Sequence, residues 1–257
     1  MMEWSGRKID FAIGLLAGIF GGLVGLGGGI VMIPLMVGLK KISQHSAHGT
    51  SLVALVFTGI AGAATYALQG SVNFIASILL AATAVLTART GAHLAHSLPE
   101  WKLKRSFGGF LIFVALMMVL KPYFSPLEGM TTGVSRAAVL LLSGAVTGLL
   151  SGMMGVGGGT IMVPAMVFLV GMGQHTAQGS SLLAMVPAGA AGAWTHGKLG
   201  NVEKELLPGL VPGILIGTYL GGSAAHLLSE ATLRFVFAVV LLLTGRKYLK
   251  TPIPKLQ

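Results

Sequence analysis

The sequence predicts an all-α membrane protein made of two inverted-topology repeats of about 130 residues each. The composition indicates the membrane, because the chain is 54% hydrophobic and 9% charged, with a mean hydropathy of +0.84. Soluble domains carry about 25% charged residues. The stretch GLVGLGGGIVMIP at 22–34 recurs as GMMGVGGGTIMVP at 152–164. The chain is therefore a duplicated unit.

Composition also excludes several classes of protein. The chain has no cysteine, so disulfides, thiol catalysis and thiolate metal sites are ruled out. Its net charge of +10 lies mainly between apolar runs, which favours orientation in a membrane over nucleic-acid binding. No metal-ligand or catalytic motif is present. The G-x-G-G-G runs are not a dinucleotide-binding fingerprint, because no strand precedes them and no acidic residue follows at the distance that this motif requires. We expect no enzymatic activity, no cofactor and no metal.

Each half contains the same four apolar segments, A to D, in the same order. In the first half they run over 9–39, 46–68, 74–94 and 107–120. In the second half they run over 137–170, 176–194, 206–227 and 233–249. The first repeat is then 1–121, the linker 122–135 and the second repeat 136–257.

Segment A differs from the others because it is too long for one crossing and too short for two. Each glycine of its cluster weakens a helix by about 1 kcal/mol relative to alanine. Pro34 removes a backbone donor and favours a first helical turn. These features predict two short helices with an unwound break near 25–33. Segment A is then a re-entrant or hairpin segment, and segments B, C and D are the three transmembrane helices of each half.

The basic residues test this topology. A hairpin puts the basic residues that flank the first segment A on one side, together with Arg89 near the end of segment C. Those flanking residues are Arg7, Lys8, Lys40 and Lys41. The positive-inside rule then places this side and both termini in the cytoplasm. Three crossings per half invert the second repeat. Inverted repeats with matching broken helices are typical of secondary transporters, whose site lies near the midplane.

The glycine breaks are the first part of the candidate substrate site. No acidic residue lies in the middle of a segment, whereas cation carriers usually need one there. Helix N-termini offer free N–H groups and partial positive charge, which suits an anion. Alternatively, the glycines only allow helices to cross closely. The candidates here are Gly25, Gly27, Gly28, Gly29, Gly155, Gly157, Gly158, Gly159 and Thr160.

Polar residues at the start of each segment B form the second part. They either line a polar path or make hydrogen bonds between helices. They are Gln44, His45, Thr50, Ser51, Gln174, His175, Ser180 and Ser181.

The remaining expectations concern individual residues. Thr160 replaces Ile30 of the first repeat, so the halves cannot bind identically. Arg89 either offsets substrate charge or reaches lipid headgroups. Tyr66 and Trp194 have the placement of interfacial belt residues, and Trp194 is also a candidate gate. His45 or His175 would provide proton coupling, since histidine titrates near neutral pH.

The motifs resemble those of the sulfite exporter TauE/SafE family. They are GLVGLGGGIVMIPLM with AHGTSL, GMMGVGGGTIMVPAM with AQGSSL, and the later stretches GAHLAHSLPEWKLKRSF and GGSAAHLLSEATLRFVF. The resemblance covers essentially the whole chain. It implies a multi-pass inner-membrane carrier of small sulfur-containing anions, such as sulfite or organosulfonates, with both glycine stretches and both segment B starts lining the path.

The function expected is therefore a secondary transporter, an exporter working by alternating access between the repeats. Two alternatives stay open, a passive anion channel and a non-transporting scaffold subunit. The expected partners are the anion and the lipid bilayer. Nucleic acid is not among them, and a homodimer is left open.

Overall fold

The computed structural model describes residues 2–94, 100–120, 133–155 and 157–251, and every regular element in these ranges is a helix. The first half contains α1 Met2–Val24, α2 Gly29–Leu39, α3 Gln44–Leu68, α4 Phe74–Leu94 and α5 Glu100–Leu120. The second half contains α6 Val134–Met154, α7 Gly159–Phe168, α8 Gln174–Lys198, α9 Leu207–His226 and α10 Glu230–Leu249, with a 3-10 turn at Lys204–Leu206. The all-helical prediction is confirmed.

Within the described ranges, four helical stretches are long and apolar enough to cross a membrane. They are His45–Leu68, Phe74–Leu94, Val134–Met154 and Lys204–His226. α8 is more polar, but much of its surface is buried by other helices. A helix enclosed by protein does not need the apolar surface that lipid demands.

The prediction that the first segment A forms two helices with an unwound break is confirmed, but the first helix is not short and the break is narrower than the predicted 25–33. α1 has 23 residues, and the irregular backbone is confined to 25–28. Pro34 lies inside α2 and not in its first turn. α1 stays helical because its glycines let its backbone touch α9: a Cβ on Gly18 would lie 2.6 Å from the carbonyl oxygen of Ile214. Close packing of this kind outweighs the weak helix propensity of glycine.

Two other boundaries also differ from the predicted ones. Segment D of the first half begins at Glu100 and not at 107, because a polar turn extends the helix before its apolar part. α8 extends beyond 176–194 at both ends for the same reason. Residues 122–132 of the predicted linker 122–135 lie outside the described residues, and α6 already begins at Val134.

The first helix of each half packs along the fourth helix of the other half. On α1, Gly14 lies against Leu210 and Gly22 against Thr218 of α9, so the two helices run parallel. α6 lies on α4 in the same way. These reciprocal contacts bind the two halves into one bundle.

The third helices, α3 and α8, pack against each other and run antiparallel. Gly62 of α3 meets Leu182 near the start of α8, and Gly192 near the end of α8 meets Leu52. α5 and α10 are also antiparallel, since Arg105 Nε donates to the carbonyl oxygen of Thr251 at 3.2 Å. Equivalent helices of the two halves therefore point in opposite directions where they meet.

α2 folds back along α1. A Cβ on Gly28 would collide with the carbonyl oxygen of Ala17. Lys40, at the end of α2, lies 2.9 Å from the buried carboxylate of Asp10 in α1. The segment from α1 to α2 consequently begins and ends at the same end of the bundle.

That end is rich in basic residues, and we call it the basic end. The loop between α8 and α9 also lies there, because the N–H of Glu203 donates to Thr50 Oγ1 at 2.9 Å. Its basic residues are Arg7, Lys8, Lys40, Lys41, Lys198 and Lys204. We call the other end, which holds the loops at 69–73 and 226–230, the opposite end.

Candidate functional site: the paired glycine breaks

The two irregular segments, 25–28 and 155–158, meet inside the bundle; Val156 is outside the described residues. Gly27 contacts Leu55 and Met185, which lie halfway along α3 and α8. A Cβ on Gly157 would lie 2.5 Å from the carbonyl oxygen of Leu26, so the two backbones touch. The breaks therefore lie at mid-height of the two longest helices.

Glycine is required here by backbone conformation as well as by space. Gly27 has φ +83 and Gly157 has φ +88, a region that costs other residues about 1–2 kcal/mol. The equivalent positions Gly28 and Gly158 differ, with φ +75 and −81. The two breaks are thus similar in path but not identical.

Each break is held by a serine from the other half. Ser51 Oγ of α3 lies 2.9 Å from the carbonyl oxygen of Gly155, and Ser181 Oγ of α8 lies 3.0 Å from that of Gly25. Both serines are fully buried. In this conformation the predicted site hydroxyls bind backbone carbonyls, as expected for hydrogen bonds between helices.

The neighbouring hydroxyls hold loops at the two ends of the bundle. Thr50 accepts from the N–H of Glu203 at the basic end. Ser180 accepts from the N–H of Asn73 at the opposite end at 2.8 Å. These two candidates lie further from the breaks than Ser51 and Ser181.

The N-termini of α2 and α7 carry the polar groups that could bind a ligand. Both helices begin in a break, and neither has a capping side chain. The first N–H groups of a helix have no partner within it. Three of these groups do have partners here: Gly158 N lies 3.1 Å from Met185 Sδ, and the N–H groups of Val31 and Ile161 donate to the carbonyl oxygens of Gly28 and Gly158. Gly29 and Gly159, the first residues of these helices, are buried.

Thr147 of α6 is a polar neighbour of the second break that sequence reasoning missed. Its Cγ2 would lie 2.5 Å from a Cβ on Gly158, and its hydroxyl is buried without a partner in the described part of the chain. Some other buried threonines bond their own helix, as Thr58 does to the carbonyl of Ala54. The equivalent of Thr147 in the first repeat is Ala17. Aligning the two repeats would have shown this difference.

Thr160 adds a second hydroxyl on this side. It lies in the first turn of α7 and is 1% exposed. The first repeat has Ile30 there, so α7 begins in a more polar setting than α2. That the halves cannot bind identically stays a prediction.

Two buried glutamines lie one turn apart on α8, between the opposite end and the first break. Gln174 is 1% exposed, and neither amide atom has a partner among the described residues. Gln178, one turn on, donates from Nε2 to the carbonyl of Val24 at 3.0 Å. Its Oε1 accepts from the Tyr66 hydroxyl at 2.9 Å. Tyr66 is fully buried, so its predicted place in an interfacial belt is wrong.

The other candidates lie away from the breaks. His45 begins α3 at an exposed position, and the Gln44 side chain is outside the described residues. Arg89 is exposed on α4. Trp194 is 66% exposed, with Lys198 Nζ 5.2 Å from its ring centre. His175 lies at the opposite end, beside His226.

Buried helix N-termini at mid-height of a bundle of apolar helices define a class, the multi-pass membrane transporters with broken helices. The model of the sulfite exporter TauE/SafE family matches residues 10–248. The chain belongs to this family.

Relatives from several organisms support this assignment. The chain is 28% identical over 255 residues to "Probable membrane transporter protein YunE" of Bacillus subtilis, covering 91% of this chain and 93% of that protein. It is 30% identical over 253 residues to a "Probable membrane transporter protein" of Xylella fastidiosa, covering 95% and 94%. No solved structure matches the chain. The chain is a membrane transporter of this family, and the relatives' names describe transporters, not enzymes.

Proposed function

We propose that this protein is a secondary transporter that moves a small sulfur-containing anion, such as sulfite or an organosulfonate, across the inner membrane. The observation that carries the proposal is that α2 and α7 begin, without side-chain caps, in two breaks that touch at mid-height of the bundle. Each N-terminus stabilises an anion by about 0.3–2 kcal/mol. Such binding is weak enough to be reversible, as transport requires.

The arrangement of the halves supports alternating access as the mechanism. α3 and α8 are equivalent in sequence and antiparallel in space, which supports an inverted relation between the repeats 1–121 and 136–257. The ion pair between Lys40 and Asp10 supports a re-entrant hairpin for α1 and α2. Three crossings per half then remain. With the basic end in the cytoplasm, both termini are cytoplasmic.

The charge distribution favours an anion. Among the described residues the carboxylates lie towards the helix ends, and Asp10 is paired with Lys40. The second break offers Thr147, with an unpartnered hydroxyl, and Thr160 beside the first N–H groups of α7. A sulfur oxyanion presents several acceptor oxygens to such donors. The family's description supplies the sulfite hypothesis, and we extend it to this chain.

The test is flux of radiolabelled sulfite into liposomes that contain the purified protein. We expect Gly28→Leu and Gly158→Leu to abolish flux while the protein still reaches the membrane. Gly38→Leu is the matched control, because a Cβ on Gly38 of α2 would meet no atom within 4 Å. If Gly28→Leu does not fold, Gly158→Leu decides, because Gly158 has an ordinary φ. Unimpaired flux in both variants would refute the site.

The same liposomes distinguish a carrier from a channel. A carrier saturates with sulfite concentration, because each molecule must bind before the protein changes conformation. A channel gives a steady conductance in planar bilayers without saturation. Saturable flux without conductance is the expected result.

A further inference from the structure

Two histidines and a glutamate form a polar cluster at the opposite end of the bundle, on three different helices. The rings of His175 on α8 and His226 on α9 are 5.1 Å apart between centroids. His175 Nδ1 lies 3.8 Å from Glu230 Oε1 at the start of α10. The His175 side chain is 18% exposed and that of Glu230 is 52% exposed. The cluster therefore connects water with the interior of the bundle.

His175 is placed to take up a proton. Its Nε2 lies 3.1 Å from the carbonyl oxygen of Ala225. A carbonyl only accepts, so in this contact Nε2 carries the hydrogen. Nδ1 then faces the carboxylate of Glu230 with a lone pair. A proton bound at Nδ1 would replace this repulsion with a charge-assisted contact.

His226 lies close enough to be affected by that proton's charge. Its Nδ1 lies 2.8 Å from the carbonyl oxygen of Gly222 and must carry a hydrogen there. Its Nε2 is buried and has no partner in the described part of the chain, so its lone pair is available. Two imidazolium rings 5.1 Å apart would repel each other. The pair therefore binds one proton more readily than two.

The cluster is linked to the first break through Tyr66. The Tyr66 ring packs edge-on against His226, with centroids 4.6 Å apart. Its hydroxyl donates to Gln178 Oε1, and Gln178 Nε2 donates to the carbonyl of Val24, the last residue of α1. A Cβ on Gly25 would lie 2.7 Å from Gln178 Cβ. A movement of His226 would be transmitted to the backbone of the break by direct contacts.

We propose that His175 and His226 form a shared proton-binding site, in which a proton on His175 disfavours a second proton on His226, and that its occupancy is coupled to the movement of the first break. The proton comes from water at the opposite end and binds between the ring of His175 and Glu230, and its charge acts on the neighbouring ring of His226. The charged and titratable groups that face the pair are Glu230 from α10 and Tyr66 from α3, with Arg234 one turn further along α10. The coupling to anion flux rests on the proposed function, whereas the shared site does not.

The shared site is tested by NMR of the purified full-length protein with ¹⁵N-labelled histidine. Coupled groups titrate in steps that belong to the pair. We expect the curve of His175 to change from two steps to one in the His226→Gln variant. His93→Gln, which alters an exposed residue in the last turn of α4, should leave it unchanged. An identical His175 curve in wild type and His226→Gln would overturn the proposal, whatever the protein transports.

The coupling is tested with sulfite in liposomes under a clamped membrane potential. One coupled proton and a gradient of one pH unit change sulfite accumulation about tenfold. We expect this effect in wild type and in His93→Gln, and its loss in His175→Gln and His226→Gln with downhill flux retained. An unchanged pH effect in both cluster variants would overturn the coupling. If no variant moves sulfite, the proposed substrate class fails, and the NMR result still decides the proton site.

Discussion

Equivalent glycines at the two breaks are expected to differ in how they tolerate alanine. At Gly28, φ is +75 and a Cβ would collide with the backbone carbonyl oxygen of Ala17. At Gly158, φ is −81 and the nearest atoms are side-chain atoms, Thr147 Cγ2 at 2.5 Å and Met162 Cε at 3.3 Å. Side chains can move where the backbone cannot. Gly28→Ala should therefore be the more costly substitution.

The magnitudes follow from two terms. Overpacking a well-filled interior costs about 1–3 kcal/mol, and this term applies at both positions. The left-handed conformation adds about 1–2 kcal/mol at Gly28 only. The difference corresponds to about 2–8 °C in the unfolding midpoint of a chain of this size.

Thermal unfolding in detergent measures this difference. A double variant makes the cause testable, because Thr147→Ser removes the methyl group that Gly158→Ala would meet. We expect Thr147→Ser to recover most of the cost of Gly158→Ala, measured as a double-mutant cycle. Equal costs at Gly28 and Gly158, or no recovery in the double variant, would refute the reasoning.

Three other substitutions test single contacts. Thr147→Val should stabilise the protein by about 1 kcal/mol, because it removes an unpartnered buried hydroxyl. Thr147→Val should also weaken sulfite binding about tenfold, as expected for a lost hydrogen bond to a charged group. The control Thr58→Val should leave binding unchanged, and calorimetric titration measures the sulfite affinity of both variants. Ser181→Ala removes the hydrogen-bond donor of the buried Gly25 carbonyl and should lower the free energy of unfolding by about 1–3 kcal/mol. An unchanged thermal midpoint would show that other contacts hold the first break. Asp10→Asn removes the ion pair with Lys40 and should cost about 2 kcal/mol, and limited proteolysis near 40 should become faster if this pair holds the hairpin.

The repeat made much of the architecture predictable. An unbroken register implied that every element of the first half would recur, and α1 to α5 do recur as α6 to α10. Glycine and proline propensities predicted a break near 25–33, and the structure has it at 25–28. They did not predict the length of α1, because the backbone contact of Gly18 with α9 cannot be seen in one segment.

The partners within the site could not be predicted in the same way. A repeat shows that Ser51 and Ser181 are equivalent, but it does not show that each binds the break of the other half. Composition likewise places Tyr66 at an interface, whereas packing against α8 and α9 buries it. Contacts between distant segments decide both cases.

Binding of a sulfur anion at the breaks is tested most directly by ligand-dependent stability. The purified protein is heated in detergent with sulfite, sulfate, thiosulfate, sulfoacetate, taurine or chloride. A ligand at 100 times its Kd adds about 2.7 kcal/mol of stability. The proposed function predicts a raised midpoint with a sulfur anion, no change with chloride, and a smaller rise in Gly158→Leu than in Gly38→Leu. An equal rise with sulfite and chloride, or an equal rise in both variants, would contradict it.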